Sequence, residues 1–400
     1  MIRMIQREVY IEQLKHFKDK DLIKVVTGIR RCGKSTLFEL FIEYLLNNGI
    51  KNNQIIHLNL EDPIYSEMDD YLKLYNFILE KIDTKTKYYV FIDEIQVVPN
   101  FQKAVDGLYI KKNIDLYITG SNANLLSGEL ATLLSGRYIE IKMLPLSFKE
   151  FVLSQSENAN IDRLFQTYIS SGSFPYTLSL DQVDDIDMYI KGIYDSIILK
   201  DIMSRKKFPD QMMLQSVVNF LLDNIGNLTS TNKIADTMTS NGRSISVHTV
   251  ENYISALLES FIFYRASRYD IKGKQYLKTG DKYYVADLGL RYFLLGRKTG
   301  DTGHILENVV YLELLRRGYD VYIGKLDECE VDFVAINSKE TVYYQVCETV
   351  KDKNTLDREL KSLDSIRDHY PKYLLVGDIE PVTSYNGIKK MNVLDWLLDK

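Results

Sequence analysis

The sequence is poor in residues that cross-link or metallate a fold. Its 400 residues hold three cysteines, Cys32, Cys329 and Cys347. None forms a CxxC pair, and this odd, sparse usage fits a reducing compartment better than a disulfide framework. The five histidines are scattered, without the paired spacing of a zinc site. No apolar run approaches the length of a membrane span, and the opening MIRMIQREVY lacks the apolar core of a secretory signal. The expected location is therefore the cytoplasm. Excess positive charge is missing too, with 50 Lys and Arg against 55 Asp and Glu and a net charge of −5. Any contact with nucleic acid would need a local basic patch. What remains is an ordinary globular composition, 45% hydrophobic and 26% charged, over a length that predicts two or three domains.

The sharpest positive signal lies near the start. LIKVVTG (Leu22–Gly28) is an apolar, β-branched run suited to a buried parallel strand. It leads into GIRRCGKST and then STLFELFIEYLL, whose apolar residues recur at helical spacing. Strand, GxxxxGK[ST] loop and helix form the context of a phosphate-binding loop. The predicted cradle is Gly28, Ile29, Arg30, Arg31, Cys32, Gly33, Lys34, Ser35 and Thr36. Backbone N–H groups and the positive helix end would hold phosphate oxygens, Lys34 would reach the β and γ phosphates, and the Ser35 hydroxyl would ligate Mg²⁺. Arg30 and Arg31 either touch phosphate or are solvated charges of the loop. YYVFIDE (Tyr88–Glu94) is a second buried-strand run ending in two acids, with Asp93 a metal ligand and Glu94 the general base for an attacking water. Alone, such an end would read as a solvated acidic terminus; beside a phosphate loop it reads as hydrolytic. LYITGS (Leu116–Ser121) puts Ser121 or Asn122 at a γ-phosphate-sensing position, with a helix cap as the rival role. Arg137 opens the strand YIEIKML and is either a charge-stabilising arginine, for this subunit or a neighbour, or a surface ion pair.

Five strands alternate with helical stretches, so the expected fold class is α/β, with a parallel sheet covered on both faces. The words TGIRRCGKSTL, VFIDEIQ, ITGSNANLLSGELATLLSGRY and PLSFKEF make this region resemble AAA-type ATPases with an acid-acid strand end. More closely, it is similar to bacterial and archaeal ATP-binding proteins that carry a C-terminal domain of unknown function. That resemblance implies a P-loop ATPase domain over residues 1–150, ATP and Mg²⁺ as ligands, and a homo-oligomer in which Arg137 could act across an interface. It continues more thinly through GSFPYTL and VYLELLRRGYDVY to VLDWLL. Ser171 departs from it, standing where the family repeats a glycine before Phe174-Pro175.

Residues 151–207 read as a helical lid or linker interrupted at SGSFPYT. Residues 208–300 read as a winged helix-turn-helix, with three helices followed by two aromatic-rich strands around a turn. Ser230 or Thr231 caps the middle helix, and Val250, Tyr253, Ile254, Leu257 and Leu258 form the core face of the third. Ser246, His248, Thr249, Asn252 and Ser255 would face outward and could reach base edges. Arg265, Arg268, Lys272, Lys274, Lys278 and Lys282 make the hairpin a basic wing suited to DNA phosphates, unless it is a solvated or packing element.

Residues 301–400 give a helix, three strands, a helix and another strand. That order resembles the restriction-endonuclease-like PD-(D/E)XK fold. The resemblance maps Glu307 to the helix carboxylate, Asp332 to the central metal ligand, Gln345 to the second carboxylate and Cys347 to the lysine. An amide is a weaker ligand for a hard divalent ion, and a thiol carries no positive charge. An inactive module is expected, in which Glu307 and Asp332 could hold Mg²⁺ only poorly, with Glu330 and Glu348 as nearby spare acids. The combined expectation is a Mg²⁺-dependent ATPase whose nucleotide state switches the attached domains. A nucleotide-regulated DNA-binding regulator and a nucleic-acid-cleaving defence enzyme are the alternatives.

Overall fold

Five strand-forming runs of the first unit build a wholly parallel sheet. They are β1 (Ile23–Thr27), β2 (Ile55–Asn59), β3 (Tyr88–Asp93), β4 (Ile114–Gly120) and β5 (Tyr138–Lys142), in the order β2-β3-β4-β1-β5. The computed structural model describes residues 5–126, 134, 136–155, 159–206, 208, 210–277, 280–296, 302–327, 329–378 and 381–400. It divides into a unit of Met1–Pro145 with Glu259–Phe261 and a unit of Leu146–Leu258 with Ile262–Lys400.

In the first unit β1 and β3 are buried along their whole length, because helices cover both faces of the sheet. On one face α3 (Tyr71–Leu79) and α4 (Phe101–Tyr109) bring Leu74, Ile78, Val105 and Leu108 against Val25, Val90 and Ile92. On the other, Phe38 and Phe41 of α2 (Lys34–Asn47) meet Phe91 and Tyr117, with ring centroids 5.1 to 6.3 Å apart. Each buried ring of this kind contributes about 1.5–3 kcal/mol of transfer free energy. Together the two layers fix β3 and β4 beside β1, and so set the distance between the strand ends that carry the polar residues.

The second unit begins with α5 (Phe148–Leu153), α6 (Ile161–Ser171) and α7 (Val183–Ser196). Ser171 closes α6 in helical conformation, so no glycine is required there. The turn depends instead on Gly172, at φ +79°, where a Cβ would lie 2.3 Å from Asp287 Oδ1. Asp287 accepts from the Ser173 N–H at 2.5 Å and the Ser173 hydroxyl at 2.7 Å. Three helices follow, α8 (Gln211–Asp223), α9 (Thr231–Ser240) and α10 (Val247–Glu259). Of the two candidate caps for α9 it is the Ser230 hydroxyl that accepts, from Lys233 N–H at 3.2 Å. Strands β6 (Phe263–Ala266) and β9 (Lys282–Val285) pair antiparallel, and Thr229 bridges to Asp281.

An eight-stranded sheet completes this unit, and it draws strands from both sides of residue 300. Its strands are β7 (Arg268–Asp270), β8 (Gln275–Tyr276), β10 (Asp320–Leu326), β11 (Cys329–Ile336), β12 (Thr341–Cys347), β13 (Lys372–Val376), β14 (Thr383–Tyr385) and β15 (Ile388–Asn392). β7 runs parallel to β10, pairing Arg268 with Ile323 and Asp270 with Lys325. The segment read as a free wing therefore supplies two strands to the C-terminal sheet. A free hairpin would leave those backbone groups to water; the ladder satisfies them within the protein. Helices α11 (Leu288–Leu295), α12 (Thr302–Arg316), α13 (Lys353–Asp364) and α14 (Val393–Leu397) complete the chain. Among the described residues no helix is long and apolar enough to cross a membrane.

Candidate functional site

The carboxyl ends of β1, β3 and β4 lie side by side, since Thr27 registers with Gly120 and Ile92 with Ile118. In an open α/β sheet this edge is where ligands bind. β1 runs straight into the loop Gly28–Gly33, and Gly33 caps α2 in left-handed conformation, φ 102°. Gly28 is held against the strand after β5, where a Cβ would sit 2.1 Å from the Met143 carbonyl oxygen. Only glycine allows that approach. Arg7, which the sequence reading passed over, braces the same loop. Its buried guanidinium donates to the carbonyls of Cys32 at 2.9 Å and Leu144 at 2.6 Å. A lone arginine ahead of α1 (Glu8–Phe17) carries no motif that would have singled it out.

The functional side chains converge at this edge. Lys34 is 4% exposed; its ammonium donates to the Gly28 carbonyl at 3.1 Å and lies 3.5 Å from Glu94 Oε1. Burial alone would lower its pKa, but the nearby Cys32, Glu94 and Asp93 outweigh burial and raise it. Asp93 is fully buried and pushed above the usual carboxylate range by burial, against the Ser35 and Thr119 hydroxyls. The Thr119 hydroxyl bonds Asp93 Oδ1, while Oδ2 is buried with no hydrogen-bond partner. Glu94 moves the other way, since Lys34, Gln96 and Arg30 overcome burial and lower its pKa. Its backbone is left-handed, φ 52° and ψ 47°, a strained conformation for a residue with a side chain. The Thr119 hydroxyl accepts its N–H at 2.9 Å.

The remaining predicted cradle residues are distributed around this centre. Ile29 and Cys32 are buried, and burial raises the Cys32 thiol pKa. Ser35 is half-buried, Thr36 is exposed, and Arg31 is exposed with φ 65°. Arg30 pairs with Glu61 at 3.1 Å. Asn122 and Ser121 are both buried at the end of β4, and Ser121 reaches the Glu94 group through Gln96 at 3.4 Å.

Arg137 is corrected. It precedes β5, whose Tyr138 pairs with Ile23 at the amino end of β1, so it lies at the edge opposite the loop. There it pairs with Asp106 at 2.5 Å and covers the Tyr109 ring. Within its own chain it is a surface ion pair.

Lys282 is the second correction. Placed by the sequence in an exposed wing, it is 4% exposed, and its ammonium lies 2.9 Å from Glu330, 3.4 Å from Glu307 and 3.8 Å from Asp332. Two of the four mapped nuclease-like residues, Glu307 and Asp332, thus surround a built-in cation. Burial, then the charge of Glu307, pushes Asp332 well above the usual carboxylate range. Asp332 Oδ2 accepts from Val346 N–H at 2.9 Å. Gln345 accepts from Asp332 N–H at 3.2 Å and donates to Glu359 at 2.9 Å; Glu359 is a buried acid that the sequence reading missed. Cys347 turns its thiol to the Thr349 carbonyl at 3.8 Å. Mg²⁺ does not fit here. The Lys282 ammonium already occupies the space between these carboxylates, and among the described residues no group of three or more acids, histidines and cysteines is placed to hold a metal ion.

The rest of the expected basic wing is dispersed as well. Arg265 lies 3.9 Å from Asp281, and Lys272 lies 3.4 Å from Asp327. Arg268 stands in β7, Lys274 is exposed, and Lys278 lies outside the described residues. On α10 the exposed polar groups pair locally, Ser246 with Thr249 at 2.8 Å and Asn252 with His248 at 3.3 Å.

A parallel sheet with a glycine loop, a buried lysine and an acid pair at one edge defines an AAA-type P-loop protein. Comparison with known proteins agrees, since residues 20–152 match the AAA domain and residues 162–301 match a domain of unknown function, DUF8612. The chain belongs to the same family as an uncharacterized protein of Haemophilus influenzae, to which it is 45% identical across 99% of each chain. An uncharacterized protein of Methanocaldococcus jannaschii is 30% identical over 98% of this chain and 88% of its own. Among solved structures, a Walker-type ATPase of Pyrococcus abyssi shares the fold at TM-score 0.52 and 14% identity, over 73% of this chain and 96% of that one.

Proposed function

We propose that this protein binds and hydrolyses ATP in a Mg²⁺-dependent manner. The observation that carries the reading is the convergence of Lys34, Asp93 and Glu94 at the mouth of a backbone-amide loop, with one buried Asp93 oxygen unpartnered. An orphaned buried carboxylate oxygen is costly unless a ligand satisfies it, and its hard anionic character suits Mg²⁺. Ser35 and Asp93 would hold that ion, whose chemistry is to neutralise charge on the phosphates. The amides of Gly28–Gly33 and the α2 terminus would hold the phosphate chain. Lys34 would leave Glu94 to engage the β and γ phosphates. Glu94, kept ionised, would take a proton from the attacking water as oxygen bonds to the γ-phosphorus and the β–γ bridging bond breaks.

ATP bound at this centre would bias one arrangement of the attached domains, and loss of the γ-phosphate would release it. Arg137 could act only towards a neighbouring copy, a role that requires a homo-oligomer. Phosphate release by wild type, Lys34→Ala and Glu94→Gln tests the reading. Removal of the base is expected to slow turnover by about 10²–10⁴-fold; variants turning over like wild type would refute it. Mass measured with and without ATP decides the oligomeric role of Arg137.

A further inference from the structure

Glu94 is held by more than Lys34. The side chain of Gln96, two residues on in the same tight turn, donates from Nε2 to Glu94 Oε2 and lies 3.4 Å from the Ser121 hydroxyl. A carboxylate only accepts, so the amide must present its nitrogen to Glu94. Its Oε1 is then buried without a partner. That oxygen rests against Gly120 of β4, where a Cβ would come within 2.8 Å of it. The missing side chain of Gly120 thus makes room for the Gln96 amide, and the amide spans from the β3 end to the β4 end.

We propose that Gln96 is the positioning residue of the hydrolytic glutamate. Resting on the assignment of Glu94 as base, it holds that carboxylate oriented once nucleotide draws Lys34 away. The two carboxylate oxygens have separate partners, Lys34 at Oε1 and Gln96 at Oε2. Phosphate competes for the ammonium but has no claim on the amide. Gln96 therefore acts on the proton-abstracting step and contributes nothing to binding of the phosphate chain.

The test is phosphate release by the full chain against ATP concentration, for wild type, Glu94→Gln, Gln96→Ala and the isosteric Gln96→Glu. Loss of a hydrogen bond to a charged group predicts a kcat about 10- to 100-fold lower for Gln96→Ala. KM should stay within about twofold, because Gln96 touches the base and not the phosphate loop. Gln96→Glu keeps the shape but opposes charge to charge and turns the Glu94 carboxylate away, so kcat should fall at least as far. If either folded variant keeps the wild-type kcat while Glu94→Gln is inactive, the role of Gln96 is refuted and the base assignment stands. If wild type releases no phosphate, or Glu94→Gln matches it, the base assignment fails and the role of Gln96 fails with it. Should Gln96→Ala not fold, the isosteric variant decides alone.

Discussion

Each unit of this protein has its own buried acidic centre, and the two solve the same electrostatic problem in opposite ways. In the first, Asp93 keeps a carboxylate oxygen with no partner inside the fold. In the second, Glu307, Glu330 and Asp332 close around the ammonium of Lys282. A buried carboxylate must be neutralised, and what neutralises it decides its chemistry. In the second centre a lysine of the same chain already sits among the acids; in the first, Lys34 meets Glu94 and leaves an Asp93 oxygen open.

Asp93→Ala paired with Asp332→Ala is the strongest way to break that contrast. Phosphate release should fall by about 10²-fold or more in the first, as the metal's charge stabilisation is lost, and remain unchanged in the second. DNA or RNA incubated with Mg²⁺ or Mn²⁺ should stay uncut by wild type; cutting lost in Asp332→Ala would reverse the reading of the second centre. Next in size is Lys282→Met, which strands three acids. Breaking a buried pair costs about 3–5 kcal/mol, a fall on the order of 10 °C in thermal midpoint for a unit of this size. The sign with pH follows from the raised carboxylate of Asp332. Between the ordinary carboxylate pKa and its raised folded value, the folded state binds more protons than the unfolded state, so stability falls as pH rises. Without Lys282 that fall steepens, and the deficit relative to wild type should be smaller at pH 5 than at pH 8.

Arg7→Met sharpens the first centre rather than breaking it. Losing the charged donor to the Cys32 and Leu144 carbonyls should cost about 1.5–3 kcal/mol in denaturant unfolding, with a weaker nucleotide affinity and Glu94 chemistry intact. The smallest effect concerns Cys347. Burial, with Glu359 and Asp332 nearby, pushes its thiol up to about 12. About one molecule in ten thousand is then a thiolate at pH 8, and alkylation should be correspondingly slow; rapid labelling at Cys347 would contradict the charge picture of the second centre.

Much of the first centre was legible in the sequence because its chemistry is local. GIRRCGKST and YYVFIDE each carry backbone form and side-chain type within a few residues, and a parallel sheet places strand ends together. Gln96 stood in plain view after the acid pair, yet its contact with Glu94 depends on a tight turn and on the empty space beside Gly120. Arg137 misled for a related reason: its place at a strand is readable, but which sheet edge that strand begins on is set by pairing between β5 and β1. The wing misled most, since a run of lysines looks the same whether it meets water or acids tens of residues away.

The sequence alone determined the phosphate loop, the acid pair and the strand-helix alternation, all of which are short-range patterns of residue type. Only the tertiary structure decided that Lys282 takes the cation's place among Glu307, Glu330 and Asp332, and that Asp93 keeps an oxygen unpaired. Charge compensation inside a protein is settled by distances of a few ångströms between residues far apart in the chain, and linear order does not encode those distances.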